Sequence, residues 1–129
     1  MSTQLKIYKL ALSNIRQKTQ RLSLENFKQI KKISDDRINN IPNGYITINF
    51  YDKKKWYNYA GYITYMVKTG EIGLFELVPE YRNRGLGKQI IYDVAKHMKK
   101  HKTSHIWIET VGEDPFYSHI FNTKFNKIE

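Results

Sequence analysis

The chain has 129 residues, a formal net charge of +10 and no cysteine. Hydrophobic residues make up 40% and aromatic residues 14% of the sequence, which is too much apolar surface for a disordered polyelectrolyte. We therefore expect residues 1–129 to form one domain that buries about two-thirds of its unfolded surface. The lack of cysteine excludes disulfides, thiolate metal ligands and a cysteine nucleophile.

Hydropathy and charge limit the location and the partners. The start, Met1 to Lys6, lacks the apolar core of a signal peptide, and no apolar run approaches the roughly 18 residues needed to span a bilayer. We expect a soluble, cytoplasmic protein without a membrane partner. The positive charge attracts polyanions such as nucleic acid, acidic proteins or a phosphorylated cofactor, and does not choose among them.

The N-terminal half predicts a strand, a helical region and three further strands. The imperfect alternation of apolar residues from Leu5 to Leu12 suits an opening strand. Residues 13–40 place apolar side chains partly at helical spacing and predict one or two helices, which end at the turn from Ile41 to Gly44. β-Branched and aromatic residues then predict three successive antiparallel strands at residues 45–51, 59–67 and 71–78.

The C-terminal half begins with the clearest helix. Apolar residues recur at helical spacing from Leu86 to Met98, and the same helix places Gln89, His97 and His101 on its solvated face. The spacing then predicts a strand over 105–111.

The end of the chain predicts one more helix and one more strand. Asp114 and Pro115 have the residue types of a cap and a first helical position, so a short helix is expected from Phe116 to Phe121. A last strand is expected from Lys124 to Ile128. The strand-helix-strand unit over residues 71–111 should be a right-handed parallel crossover. The predicted class is therefore α/β (α+β), a mixed, mostly antiparallel six- or seven-stranded sheet with helices on both faces.

The segment from Glu80 to Lys88 lies between a strand and the amphipathic helix. A helix N-terminus leaves about four amide hydrogens unpaired and favours a bound phosphate. Gly85 and Gly87 allow phosphate oxygens to approach the backbone, and lysine and arginine side chains supply positive charge. The segment is not a Walker A loop, because Gln89 follows Lys88, and it lacks the third glycine of a dinucleotide fingerprint.

Arg82-Asn83-Arg84-Gly85-Leu86-Gly87 resembles the Arg/Gln-x-x-Gly-x-Gly/Ala signature of the GNAT superfamily of N-acetyltransferases. The preceding Leu77 to Tyr81 and the order of elements from Glu71 onward are also similar to that family. The resemblance implies direct transfer of an acetyl group from acetyl-CoA to a primary amine, without a metal or an acyl-enzyme. It implies that the cofactor contacts Leu77, Val78, Pro79, Arg82, Asn83, Arg84, Gly85, Leu86, Gly87 and Lys88.

The resemblance also implies catalytic residues. Tyr117 matches the family tyrosine that can protonate the departing thiolate. Glu71 matches the glutamate that serves as base in the histone acetyltransferase branch, and Glu76 and Glu109 are other carboxylates on the strands beside the cleft. Because spacing alone does not choose among these carboxylates and water, the base stays open.

Some features depart from the family pattern. The family asparagine after the fifth strand is missing from the loop over residues 111–115, so that contact with coenzyme A is absent or replaced. The usual last hairpin must be shortened or supplied by a partner, which would favour a homodimer. Two alternative functions stay open: a basic nucleic-acid-binding module, which is less favoured, and a homologue that binds coenzyme A without turnover. The acceptor can be a small molecule or a protein.

Overall fold

The computed structural model describes residues 5–12, 27–34, 44–112 and 114–124. Two short 3-10 turns lie at Lys53–Lys55 and Pro79–Tyr81. The helices and strands are β1 Leu5–Ala11, β2 Ile30–Ser34, β3 Tyr45–Asp52, β4 Asn58–Met66, β5 Glu71–Leu77, α1 Leu86–Lys100, β6 His105–Val111 and α2 Pro115–Lys124.

The described strands form one six-stranded sheet in the order β1-β6-β5-β4-β3-β2. Four of the neighbouring pairs are antiparallel, and β5 and β6 are parallel. The predicted fold class, a mixed and mostly antiparallel sheet, is confirmed. Among the described residues, neither helix is both long and apolar enough to cross a bilayer.

The parallel pair meets at one end only. Glu71 on β5 is opposite Trp107 on β6, and the Trp107 amide donates to the Gly70 carbonyl at 2.9 Å. Beyond this point the described residues of β5 and β6 are not paired with each other, so a gap opens towards Leu77 and Val111. The predicted cleft between these two strands is therefore present.

The sheet edge beside β6 is occupied by β1. All seven residues of β1 pair with β6, from Leu5 opposite Val111 to Ala11 opposite His105. A partner chain is thus not needed to supply a strand directly beside β6. A homodimer stays a prediction, without the support of an open edge at this position.

Both described helices pack on the same face of the sheet. Tyr65 on β4 bonds to His97 on α1, and Phe75 on β5 packs against Phe116 on α2 with ring centroids 5.9 Å apart. Phe75 is opposite Ile63 on β4, which lies two residues from Tyr65 and so shares its face. The predicted helices of residues 13–26 and 35–40 lie outside the described residues.

The structure corrects the helical prediction for residues 30–34. This segment is β2, an edge strand paired with β3. Ile30 and Ile33 are three residues apart, as on one face of a helix, but in a strand they point to opposite faces. Accordingly Ile30 is buried and Ile33 is exposed. The rest of the predicted helical region mostly lies outside the described residues.

Two details of the C-terminal half also differ from expectation. Gln89 is buried on α1, not solvated, and His97 is half-buried, because the helix packs over more of its circumference than its apolar stripe indicates. Helix α2 starts at Pro115 and runs to Lys124, beyond the predicted end at Phe121. The predicted last strand lies outside the described residues, apart from Lys124 itself, which is helical.

Candidate active site

Tyr81 anchors the turn between β5 and α1 to two neighbouring strands. Its buried hydroxyl donates to Asp52 Oδ2 at 2.9 Å and accepts from Asn58 Nδ2 at 3.3 Å. Burial, together with the bond to Asp52, raises the pKa of Tyr81, so the hydroxyl keeps its proton at neutral pH. The turn is therefore fixed to β3 and β4 by a side chain that precedes the glycines.

Gly85 lets the backbone turn into the helix. Its φ of 81° lies in the left-handed region that glycine adopts without a steric penalty, and nothing lies within 4 Å of the position where a Cβ would be. The Gln89 amide donates a hydrogen bond to the Gly85 carbonyl at 3.2 Å, and it is the first amide of the helix that bonds to the turn. No described residue accepts a hydrogen bond from the amides of Leu86, Gly87 and Lys88. These amides are free to bind an anion in the open space above Gly85.

Gly87 has a packing role, and its predicted contact with a cofactor stays a prediction. A Cβ on Gly87 would lie 2.9 Å from the Phe116 ring and 3.5 Å from Leu77 Cδ1. Ordinary carbon contacts are about 3.5 to 4.0 Å, so only glycine admits this ring. Gly87 thus allows α1 to approach α2, and a bound phosphate is not needed to explain it.

The three cationic side chains of the turn, Arg82, Arg84 and Lys88, have different surroundings. Arg82 Nε donates to the Leu77 carbonyl at 2.8 Å, and its terminal nitrogen lies 3.7 Å from Glu76 Oε1. Arg84 packs over the Tyr81 ring, with its guanidinium carbon 5.4 Å from the centroid. Arg82 and Lys88 line the cavity described next, whereas Arg84 does not.

A cavity of about 560 Å³ opens between the end of β5, the start of α1 and helix α2. This volume is within the range of small-molecule sites, about 300 to 1,000 Å³. Four of the predicted cofactor contacts do not line this cavity: Val78, Pro79, Arg84 and Leu86. Their contact with a cofactor stays a prediction. Its lining is formed by Phe75, Glu76, Leu77, Arg82, Asn83, Gly85, Gly87, Lys88, Asp114, Phe116, Tyr117, His119 and Ile120.

Tyr117 lines the cavity from α2 and is only 7% exposed. Asp114 Oδ1 caps this helix by accepting from the amides of Phe116 at 2.9 Å and Tyr117 at 3.3 Å, as predicted. Burial, with a smaller contribution from Asp114, raises the pKa of Tyr117 far above its ordinary value. The hydroxyl is therefore protonated at neutral pH and is available as a donor.

Helix α2 is held in place by Tyr8 on β1. The buried Tyr8 hydroxyl accepts from the Asp114 amide at 3.0 Å and from Ser118 Oγ at 3.2 Å. Its ring also lies 6.0 Å from the Tyr117 ring and 6.1 Å from the Phe121 ring, between centroids. The position of Tyr117 thus depends on a strand at the other end of the chain.

The predicted carboxylates are not brought together. Glu76 lines the cavity and is exposed, whereas Glu71 lies at the opposite end of β5, where it accepts a hydrogen bond from the Tyr45 hydroxyl at 2.8 Å. That bond raises the pKa of Tyr45. Glu109 is exposed on β6 and does not line the cavity. Among these three candidates, only Glu76 lines the cavity, and the base stays open.

Among the histidines, only His119 lines the cavity. His97 Nδ1 bonds to the Tyr65 hydroxyl at 2.7 Å, and burial, followed by the charge of His101 and Lys32, lowers the pKa of His97. Within the described ranges, no three histidine or acidic side chains converge in a way that could hold a metal ion.

Sequence reasoning named Leu77 but missed the rest of the apolar wall of the cavity. This wall consists of Phe75, Phe116 and Ile120 together with Leu77, and it comes from a strand and a helix about forty residues apart. Phe75 lies between Leu74 and Glu76 in a strand rich in apolar residues, so its residue type carries no functional signal. The pairing of Phe116 with the small residue Gly87 becomes visible only when the two elements are placed together.

Comparisons with known proteins agree with this geometry. The family model described as Acetyltransferase (GNAT) family matches residues 11–121. A search of curated proteins finds no match. The crystal structure of a functionally unknown conserved protein from Staphylococcus epidermidis is similar, with a TM-score of 0.59 and 15% identity. That similarity covers 96% of this chain but 57% of the other chain, and it supports the fold alone. The chain belongs to the acetyltransferase (GNAT) family.

Proposed function

We propose that this chain transfers an acetyl group from acetyl-CoA directly to a primary amine of a small molecule or protein. Family membership supports acyl transfer in general. The observation that carries the finer proposal is the N-terminus of α1, where three amides without described acceptors open next to a cavity lined by Tyr117.

The residues of the turn fit a pyrophosphate. The amides of Leu86, Gly87 and Lys88 point out of the helix end, which carries about half a positive charge. The space at Gly85 is open, and Lys88 and Arg82 line the adjoining cavity. An anionic group there would gain hydrogen bonds and charge neutralisation without displacing a side chain.

The cavity wall fits the arm of the cofactor and the reacting end. Phe75, Leu77 and Phe116 offer an apolar surface that excludes water from the thioester. Acetyl-CoA supplies the activated acyl group and a thiolate leaving group. Tyr117 holds a proton at neutral pH and would donate it to the departing sulfur. A carboxylate or a water molecule must take the proton from the amine, and Glu76 is the first candidate because it lines the cavity.

Isothermal titration with acetyl-CoA tests the binding part of the proposal. Gly85→Glu should abolish binding, because it places bulk and negative charge in the proposed phosphate position. Gly44→Glu is a matched control: Gly44 also has a positive φ, 75°, and nothing within 4 Å of its Cβ position, but it lies outside the cavity. Full affinity in a folded Gly85→Glu variant would show that the phosphate lies elsewhere.

A thiol-release assay tests turnover, with candidate amines as acceptors. Tyr117→Phe should slow release by about 100-fold or more if the hydroxyl is the general acid, with acetyl-CoA affinity retained. Equal rates in the parent and the variant would remove Tyr117 from the mechanism. Binding without turnover for every acceptor class would instead identify a non-catalytic homologue that binds coenzyme A.

A further inference from the structure

A row of aromatic side chains and a lysine lies on the sheet face opposite the helices. Lys31 on β2 is directly opposite Tyr51 on β3, and Tyr51 is directly opposite Tyr59 on β4. Residues paired in this way point to the same face. The Tyr51 and Tyr59 rings pack edge to face, with centroids 5.6 Å apart, and the Tyr59 hydroxyl donates to Asn49 Oδ1 at 3.4 Å.

The loop between β3 and β4 adds two exposed aromatic side chains. Trp56 is 97% exposed and Tyr57 is 53% exposed. The Lys31 ammonium lies 5.6 Å from the centroid of the Tyr57 ring, which places Tyr57 next to the row. Both loop residues have positive φ, 56° and 58°, a backbone conformation that is unfavourable for residues other than glycine. The fold thus keeps two large rings exposed at a cost in backbone energy. Trp56, Tyr57, Tyr51 and Tyr59 are called the aromatic row below.

Several lysines near the aromatic row have no ion-pair partner among the described residues. Lys55 and Lys32 are ion-paired, with Glu80 and Asp93 respectively. No described carboxylate pairs with the remaining lysines of this region, which are Lys28, Lys31, Lys53 and Lys54. The surface therefore combines exposed π-faces with a local excess of cations.

We infer that the aromatic row and these four lysines bind single-stranded nucleic acid. Bases of a single strand stack on exposed rings, and the phosphates lie near the lysine ammonium groups. A duplex does not present its base faces, so charge alone would attract it more weakly. A bilayer would favour a continuous apolar surface, whereas the polar side chain of Asn49 accepts a hydrogen bond from the Tyr59 hydroxyl within this surface. This binding does not depend on acyl transfer.

Fluorescence anisotropy with a labelled oligothymidylate of about 12 nucleotides tests the inference on the full chain. We expect micromolar or tighter binding that weakens steeply between about 50 and 200 mM salt. Trp56→Ala should weaken binding by at least about fivefold, because stacking of one base on one ring contributes about 1 to 3 kcal/mol. Both Trp56 and Tyr57 are exposed, so their removal should leave the fold intact.

A charge-matched pair of variants separates a local surface from the general charge. Lys53→Glu with Lys54→Glu should reduce affinity by tenfold or more, whereas Lys100→Glu with Lys102→Glu makes the same change in net charge at the far end of α1. Equal effects of the two double variants, or equal affinity for a duplex of the same length, would overturn the inference. Absence of single-strand binding would also overturn the inference. This holds equally if vesicles with anionic lipid bind through Trp56 instead.

Discussion

Gly87→Ala is expected to damage acetyl-CoA binding while leaving stability almost unchanged. The new Cβ would lie 2.9 Å from Cε1 and Cζ of Phe116, so the ring must retreat by roughly 0.6 to 1 Å to reach ordinary contact. Overpacking of this kind costs about 1 to 3 kcal/mol, and the lower end applies because Phe116 is 38% exposed and can move. Alanine recovers about 0.5 to 1 kcal/mol within a helix relative to glycine, so the two terms nearly cancel.

For acetyl-CoA affinity, no favourable term offsets the effect of Gly87→Ala. The Phe116 ring lines the cavity and lies 5.0 Å from the Tyr117 ring between centroids, so its displacement alters the surface that the cofactor meets. We expect acetyl-CoA affinity to fall by roughly 5- to 30-fold, which corresponds to about 1 to 2 kcal/mol. Titration calorimetry measures the affinity and thermal unfolding measures the stability.

A second substitution tests whether the ring is the cause. Phe116→Leu removes the two ring atoms that the new Cβ would meet, so Gly87→Ala with Phe116→Leu should bind acetyl-CoA no worse than Phe116→Leu alone. The reasoning is refuted if Gly87→Ala keeps full affinity, or if its effect is additive with that of Phe116→Leu.

Three further predictions concern the anchors of the site and pH. Tyr8→Phe removes the acceptor for the Asp114 amide, so turnover should fall by roughly threefold to tenfold with acetyl-CoA affinity unchanged, as separate steady-state and titration measurements would show. A matching fall in affinity would contradict the assigned role of Tyr8. Tyr81→Phe removes a buried bond to Asp52 and should destabilise the chain by about 2 kcal/mol in chemical denaturation, and a change below about 0.5 kcal/mol would disprove it. Burial raises the pKa of Tyr65 from its ordinary value of 10.0 to about 12. The stabilisation from the buried neutral hydroxyl is therefore complete below pH 10 and is lost as the pH rises towards 12. The alkaline fall of the melting temperature should be smaller in Tyr65→Phe, and an identical profile would refute this assignment.

Local patterns predicted the elements that carry the turn. The hairpin of β3 and β4, the strand β5 and the helix α1 all follow from side-chain period and turn residues within the segments themselves. The same method gave the wrong element for residues 30–34, because two isoleucines three residues apart fit a helix face as well as a short edge strand. A five-residue strand has too little sequence for its period to be decisive.

Residue types and spacing predicted the site where its chemistry is carried by consecutive residues, whereas Tyr117 was predicted through the family resemblance. The turn from Arg82 to Lys88 forms one continuous motif, and its glycine at position 85 has the positive φ that the motif requires. The pairing of β1 with β6 joins segments about a hundred residues apart, and no local pattern encodes a partner at that distance. The same limit applies to the base, since a glutamate on a strand has similar spacing whether it faces the cavity or solvent.

The two walls of the cavity are fixed to different parts of the sheet, and this arrangement determines how the site can fail. The turn is fixed to β3 through Tyr81 and Asp52, and α2 is fixed to β1 through Tyr8. Between them β5 and β6 separate, and a direct contact between the walls is the Phe116 ring against Gly87. Loosening the first anchor should therefore reduce cofactor affinity, whereas loosening the second should misplace the proton donor and reduce turnover. Only a change at the Phe116 contact should affect both.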